Sequence, residues 1–151
     1  MSASNFPPDA LQLDRVRRAV LAMPMARTLG LAFRVLEPGR AEIEMPIAEA
    51  FTFRPGQLQA SAVFAAADFA AVSAAGSLLA PGWINSTIDA TLKLVAPARG
   101  QRLIARGRVV HPAGLLTVCA AEVYAEEDGR ETLCATLLGT ARNHDTAARA
   151  A

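Results

Sequence analysis

The chain has 151 residues, a formal net charge of +1 and 52% hydrophobic residues, with 15 Lys plus Arg against 14 Asp plus Glu. That length suits one domain over 1–151 with a real core, and a balanced charge without a basic block argues against a nucleic-acid surface. The 2 cysteines and 2 histidines lie too far apart for a metal motif, so neither a metal nor a bound cofactor is expected.

Residues 1–10 read as a loose tail, with no basic segment leading into an apolar run, so no signal peptide is expected. Leu11, Leu13, Val16, Val20 and Leu21 recur at helical spacing and predict a short amphipathic helix ending near Met23-Pro24. A further half-turn over Met25–Leu29 leads into the first strand. Leu31, Phe33 and Val35 alternate with Ala32, Arg34 and Leu36, and Glu37-Pro38-Gly39-Arg40 turns the chain. Ala41, Ile43, Met45 and Ile47 form the second half of a hairpin, in which Pro46 marks an edge or a frayed end. A loop over 48–56 follows.

Residues 57–80 are alanine-rich, apolar on all sides and closed by Pro81-Gly82, which predicts a long buried helix of roughly 30 Å. It is not read as a membrane span, because alanine is weakly apolar and Asp68 would sit at mid-membrane. Four strands come next. Ile88, Ala90, Leu92 and Leu94 alternate with Thr87, Asp89, Thr91 and Lys93. Leu103, Ala105, Gly107 and Val109 alternate with Arg102, Ile104, Arg106 and Arg108. The last two run over 115–125 and 131–142, and 145–151 is a second loose tail. In that hairpin Cys119 falls near Leu138 and Cys134 near Val123, so no disulfide is expected; free buried thiols suit a cytoplasmic protein.

Alternating strands joined by short turns make an antiparallel sheet, and only the central helix is long enough to cover its apolar face. The fold class is α+β, with about six strands wrapped around one helix. Between Arg54 and Asp89 the sole charged residue is Asp68. A carboxylate on a buried helix is costly unless paired, hydrogen-bonded or open to a cleft, so Asp68 leads the candidate site residues.

The order of elements resembles the hotdog fold of acyl-CoA thioesterases and dehydratases, and within it the phenylacetic-acid-degradation type of thioesterase, over roughly 29–142. Ala66-Ala67-Asp68-Phe69-Ala70 looks like that family's helix signature, and Thr91–Gly100 looks like its strand ending in a Pro-Ala turn. The resemblance implies hydrolysis of an acyl-CoA, or an acyl-carrier thioester, by a homodimer that can pair into a tetramer, with no membrane partner. It implies that Asp68 is general base or nucleophile, and that the Ala60 N–H at the helix start receives the thioester oxygen. Gln59-Ala60-Ser61 stands where the family has His-Gly-Gly, and Gln59 is read as an orienting amide. Phe53 stands near a position where relatives place Asn or Gln, and Val72 where some have a hydroxyl. Arg99, Arg102 and, more weakly, Arg54 are placed to meet nucleotide phosphates.

Ser61 has no His or Lys predicted beside it, which disfavours a serine nucleophile and leaves it a helix-start contact. Phe51, Phe53, Phe64 and Phe69 are first of all core or interface residues, with Phe53 and Phe64 the candidates for the acyl pocket. Arg102, Arg106 and Arg108 share a polar strand face that also reads as simply solvated. The second reading is a non-catalytic module that binds acyl thioesters or serves as an assembly partner, favoured by the absent histidine and glycines. A dehydratase is weaker, because no histidine is placed to pair with Asp68.

Overall fold

A computed structural model describes residues 10–149. The tail expectations at 1–9 and 150–151 lie outside the described residues. Ala10 already opens a helix, Asp145 closes a strand and Ala147–Arg149 forms a 3-10 turn, so those parts of the expected tails are ordered secondary structure.

Helix α1 spans Ala10–Leu21 and α2 spans Pro24–Leu29. Pro24 starts α2 and Gly30, at φ 71°, ends it in the left-handed conformation that glycine adopts freely. Strands β1 (Ala32–Glu37) and β2 (Arg40–Pro46) form a hairpin through Pro38-Gly39. The loop expected over 48–56 instead holds a 3-10 turn and strand β3 (Thr52–Arg54), which pairs antiparallel with β4 (Gln57–Leu58), where the helix was expected to begin. The central helix α3 follows at Ala60–Gly76, then β5 (Trp83–Leu94), β6 (Arg102–Pro112), β7 (Leu116–Glu127) and β8 (Arg130–Asp145). The large sheet is antiparallel, in the order β1-β2-β6-β7-β8-β5.

α3 lies across one face of this sheet, mainly on β6, β7 and β2. Ala66, Ala67, Ala70, Ala71 and Ala75 are buried there in one cluster with Ile43, Met45, Leu103, Ala105, Ala121 and Val123, and Ala74 in a second with Leu36 and Ala41. The alanines bring the helix very close to the strands. A Cβ on Gly107 of β6 would lie 2.1 Å from the Ala70 carbonyl oxygen, so only glycine fits at the crossing. No helix among the described residues is long and apolar enough to cross a membrane.

Several boundaries differ from the sequence expectation for visible reasons. α3 is 17 residues, about 25 Å at helical rise, rather than 57–80. At its front, Leu58 N–H donates to Ala98 and Gln59 N–H to Phe51, which ties both residues to neighbouring segments. At its back, Ser77 Oγ donates to the Ala74 carbonyl and accepts from Gly39 N–H, anchoring the helix end to the β1–β2 turn. β2 is not an edge: it pairs with β1 and β6, and Pro46 is simply its last residue. β5 starts at Trp83, and a bulge between Thr87 and Asp89 reverses the expected faces at Thr87 and Ile88, while Ala90 and Leu92 pack on the core as expected. Thr87 turns toward α3 while Ile88 is exposed. A second bulge at Val123/Tyr124 moves the β7–β8 register by one, so Cys119 lies opposite Gly139; both cysteines are buried and free.

The crossing at Gly107 gives a direct test. Gly107→Ala forces α3 off the sheet, and overpacking of this kind typically costs roughly 1–3 kcal/mol or more. Urea unfolding should place the variant at or above the upper end of that range; a loss well under 1 kcal/mol would mean that the crossing has slack.

Candidate active site

Two clefts meet at the start of α3. Gln59 is the residue before the helix, at φ −62° and ψ 142°, and no side chain caps the end. Ala62 and Val63 N–H both reach the Gln59 carbonyl, so the donors left over at the helix start are those of Ala60 and Ser61, on exposed residues. The aligned peptide dipoles add partial positive charge there, and an oxyanion fits that position. One cleft, of about 350 Å³, runs from Gln59 and Ala60 past Gln57 to Leu94 and Pro97. The other, of about 450 Å³, runs from Gln59 and Ser61 to Met25 and Phe51. Phe53 and Gln59 line both.

Asp68 stands eight residues further along α3, about 12 Å by helical rise. It lines neither cleft. Thr87 Oγ1 donates to Asp68 Oδ1 at 2.7 Å, a contact that exists because the β5 bulge turns Thr87 inward. The Asp68 carboxyl is half-buried. Desolvation pushes its pKa above the ordinary carboxylate range, and the Thr87 hydrogen bond pulls weakly the other way. The Cys119 thiol beneath it is pushed up to about 11, by burial first and then by the Asp68 charge.

The candidate residues therefore fall into separate groups. Gln59, Ala60, Ser61 and Phe53 converge at the helix start, and Asp68 with Thr87 forms a second centre. Phe64 and Val72 are half-buried, pack against the core and line neither cleft. The arginines also divide. Gln57 Oε1 accepts from Arg54 Nε and Nη2, at 3.0 and 2.7 Å, and from Arg99 Nε and Nη2, at 3.2 and 3.0 Å. Two guanidinium groups thus converge on one neutral oxygen beside the smaller cleft. Arg102 instead pairs with Glu126 at 2.9 Å and Glu44 at 3.4 Å on the outer sheet face, in line with Arg106, which pairs with Glu42 and Glu131 and stacks on Tyr124. Arg54 lies over the Phe53 ring, 5.2 Å from its centroid. The histidines sit elsewhere: His111 is exposed on β6, and His144 shares a hydrogen bond with Ser86.

Thr87 escaped the sequence reading. Strict alternation put it on the outer face, and a bulge leaves no residue signature there. Gln57 read as the start of the helix and as an amide that could replace a missing donor; in the structure its oxygen instead accepts from Arg54 and Arg99, of which Arg99 arrives from a segment far along the chain.

No protein-family model matches the chain, and no curated protein matches it. Solved structures do. A thioesterase family protein from Silicibacter pomeroyi is 35% identical, with a TM-score of 0.84 over 86% of this chain and 96% of that one. A phenylacetic acid degradation-related protein from Ralstonia eutropha is 26% identical, with a TM-score of 0.73 over 87% and 98% of the two chains. The PaaI protein of the E. coli phenylacetic acid degradation operon, at 18% identity and a TM-score of 0.75 over 87% and 96%, shares the fold.

The Asp68 environment sets a pH dependence of stability. A folded-state pKa above the ordinary 3.8 means that the folded chain holds the proton more tightly than the unfolded one. The associated stability is complete below the unfolded pKa and is lost as pH rises through the folded one. Asp68→Asn removes that loss, so its thermal midpoint should exceed the wild-type value at pH 7, with the advantage vanishing near pH 3. An Asn variant less stable at both pH values would count against a desolvated carboxylate.

Proposed function

We propose a function that starts from one premise: the chain belongs to the hotdog-fold thioesterase family. The reaction is hydrolysis of an acyl-CoA thioester to the free acid and CoA. The observation that carries this reading is the pairing of an uncapped helix start at Ala60 with a desolvated, Thr87-held carboxylate at Asp68.

A thioester carbonyl oxygen fits against the Ala60 N–H, where the negative charge of the tetrahedral state develops. Gln59, at the junction of the clefts, orients the carbonyl. A carboxylate on the far side then takes a proton from the attacking water and the CoA thiolate leaves, or it attacks the carbonyl itself, expels the thiolate and forms a mixed anhydride that water cleaves to the free acid and the carboxylate. Nucleotide phosphates offer Arg54 and Arg99 better acceptors than the amide oxygen of Gln57 that the two now share. Arg102, held by Glu44 and Glu126, drops out of this role.

Within one chain Asp68 and the helix start are too far apart to act on one carbonyl. A second copy removes the difficulty. β5 is a 12-residue edge strand that carries exposed Ile84 and Ile88, with Leu94 and Val95 exposed at its end. Such an edge pairs readily with another strand. A homodimer through β5 brings the partner subunit's Asp68 toward the Ala60 end of the first, giving two shared sites.

The second reading, a module that binds acyl thioesters without turnover, draws support from Phe53, an exposed apolar ring at the cleft junction.

Release of free thiol from acyl-CoAs tests both. Asp68→Asn should lower kcat at least 10³-fold in a folded protein. Ala60→Pro deletes the N–H while suiting the first helical position and the extended Gln59 before it, so it should cost roughly 10²–10³ in kcat with little loss of stability. Wild-type binding without thiol release favours the module.

The shared site has its own test. When the two inactive variants are unfolded and refolded together in equal amounts, half the dimers are mixed, and each mixed dimer holds one intact shared site. About a quarter of wild-type activity should return. No recovery would place both groups in one chain.

A further inference from the structure

We propose that the larger cleft, between α2 and the start of α3, is the acyl pocket, and that Met25 sets which acyl groups it accepts. The inference rests on the thioester reading above and adds the substrate end that the reading leaves open.

The two clefts differ in what stands beside them, since neither has a charged residue in its lining. The smaller one ends at Gln57, where the guanidinium groups of Arg54 and Arg99 gather, so an anionic end of a ligand belongs there. The larger one has no such cations on its polar groups: Thr28 Oγ1 donates to the Pro24 carbonyl and Thr52 Oγ1 to the Glu49 carbonyl. Its remaining polar side chains, Gln59 and Ser61, stand at the junction end, and Met25, Leu29, Phe51 and Ala62 offer an apolar group its contacts beyond them. The clefts meet at Gln59, next to the Ala60 N–H. An acyl-CoA has the same order: anionic nucleotide, thioester, apolar acyl group. With the thioester at the junction and the phosphates toward the arginines, the acyl group is directed between α2 and α3.

Met25 sits at the mouth, half-exposed, in the first turn of α2. Its flexible thioether side chain can fold over an acyl group or swing away, which suits an unbranched medium-length chain or an aryl ring better than acetyl.

The test compares kcat/KM for hexanoyl-CoA and acetyl-CoA in wild type, Met25→Trp and Leu94→Trp. Both replaced residues are exposed, so both variants should fold. Met25→Trp should lower the hexanoyl-to-acetyl ratio about tenfold or more, since each buried methylene is worth a several-fold preference. Leu94→Trp, in the other cleft, should lower both substrates alike. The opposite pattern, or an unchanged ratio in both variants, overturns the proposal. Binding separates this result from the hydrolysis reading. S-hexyl-CoA, which cannot be hydrolysed, should bind at least tenfold tighter than CoA to the wild type, and Met25→Trp should abolish the difference. If that holds while no acyl-CoA is cleaved, the pocket stands and the hydrolase reading falls. Equal binding of S-hexyl-CoA and CoA overturns the pocket.

Discussion

The close crossing of α3 over β6 sets most of what this chain can do. At Gly107 the sheet backbone meets the helix backbone near Ala70 with no room for even one methyl group between them. Alanine on the helix and glycine on the strand are therefore a single adaptation, written in two segments far apart in sequence. The gain is a thin, dense core in which dispersion contacts involve backbone as well as side chains. The consequence for chemistry is positional. A helix held this close leaves Asp68 half-buried beside β5 and β7, with Thr87 bonded to its carboxyl and the Cys119 thiol next to its charge.

That geometry also keeps the two candidate groups of one chain apart. The positive end of the helix dipole and the buried carboxylate are separated by two turns of a straight helix, and no side-chain rotation closes that gap. The sheet supplies its own remedy in β5, whose outer edge is free and whose exposed apolar side chains are those of a surface that expects cover. The opposite edge strand, β1, is backed by α1, so the two ends of the sheet are not equivalent.

Most of the fold was legible in the sequence because it is written in periodicity. Alternation gave the six strands of the large sheet, and the apolar run at 57–80 gave the central helix as the only cover for them. What escaped depends on contacts between distant segments. The β5 bulge that turns Thr87 inward, and the one-residue shift at Val123/Tyr124 that sets the cysteines, arise from pairing between strands and have no local composition. The outer face shows the same limit. Arg102 and Arg106 read as free cations on a polar strand, yet Glu42, Glu44, Glu126 and Glu131 arrive from three other strands to pair with them. Ile104, which alternation puts on the same face, is fully buried between these two arginines, opposite Glu44 and Tyr124.

The candidate site was legible to the extent that backbone does the work. Replacing a histidine and two glycines by Gln59-Ala60-Ser61 changes side chains at the helix start but leaves the N–H groups and the dipole behind them, which belong to the helix and not to any residue type. Asp68, in contrast, depends on one side chain, and the acid is there. At the junction of the two clefts stand Phe53 and Gln59, an apolar ring and a neutral amide, while Val72, another departure from the pattern the sequence resembles, packs against the core away from both clefts. A ring held by Arg54 cannot hydrogen-bond a carbonyl, but it separates the arginine side of the junction from the apolar residues beyond it. On the proposed reading, changes at the junction act on which substrate is held and how firmly, while the helix-start N–H and the Asp68 carboxyl are kept.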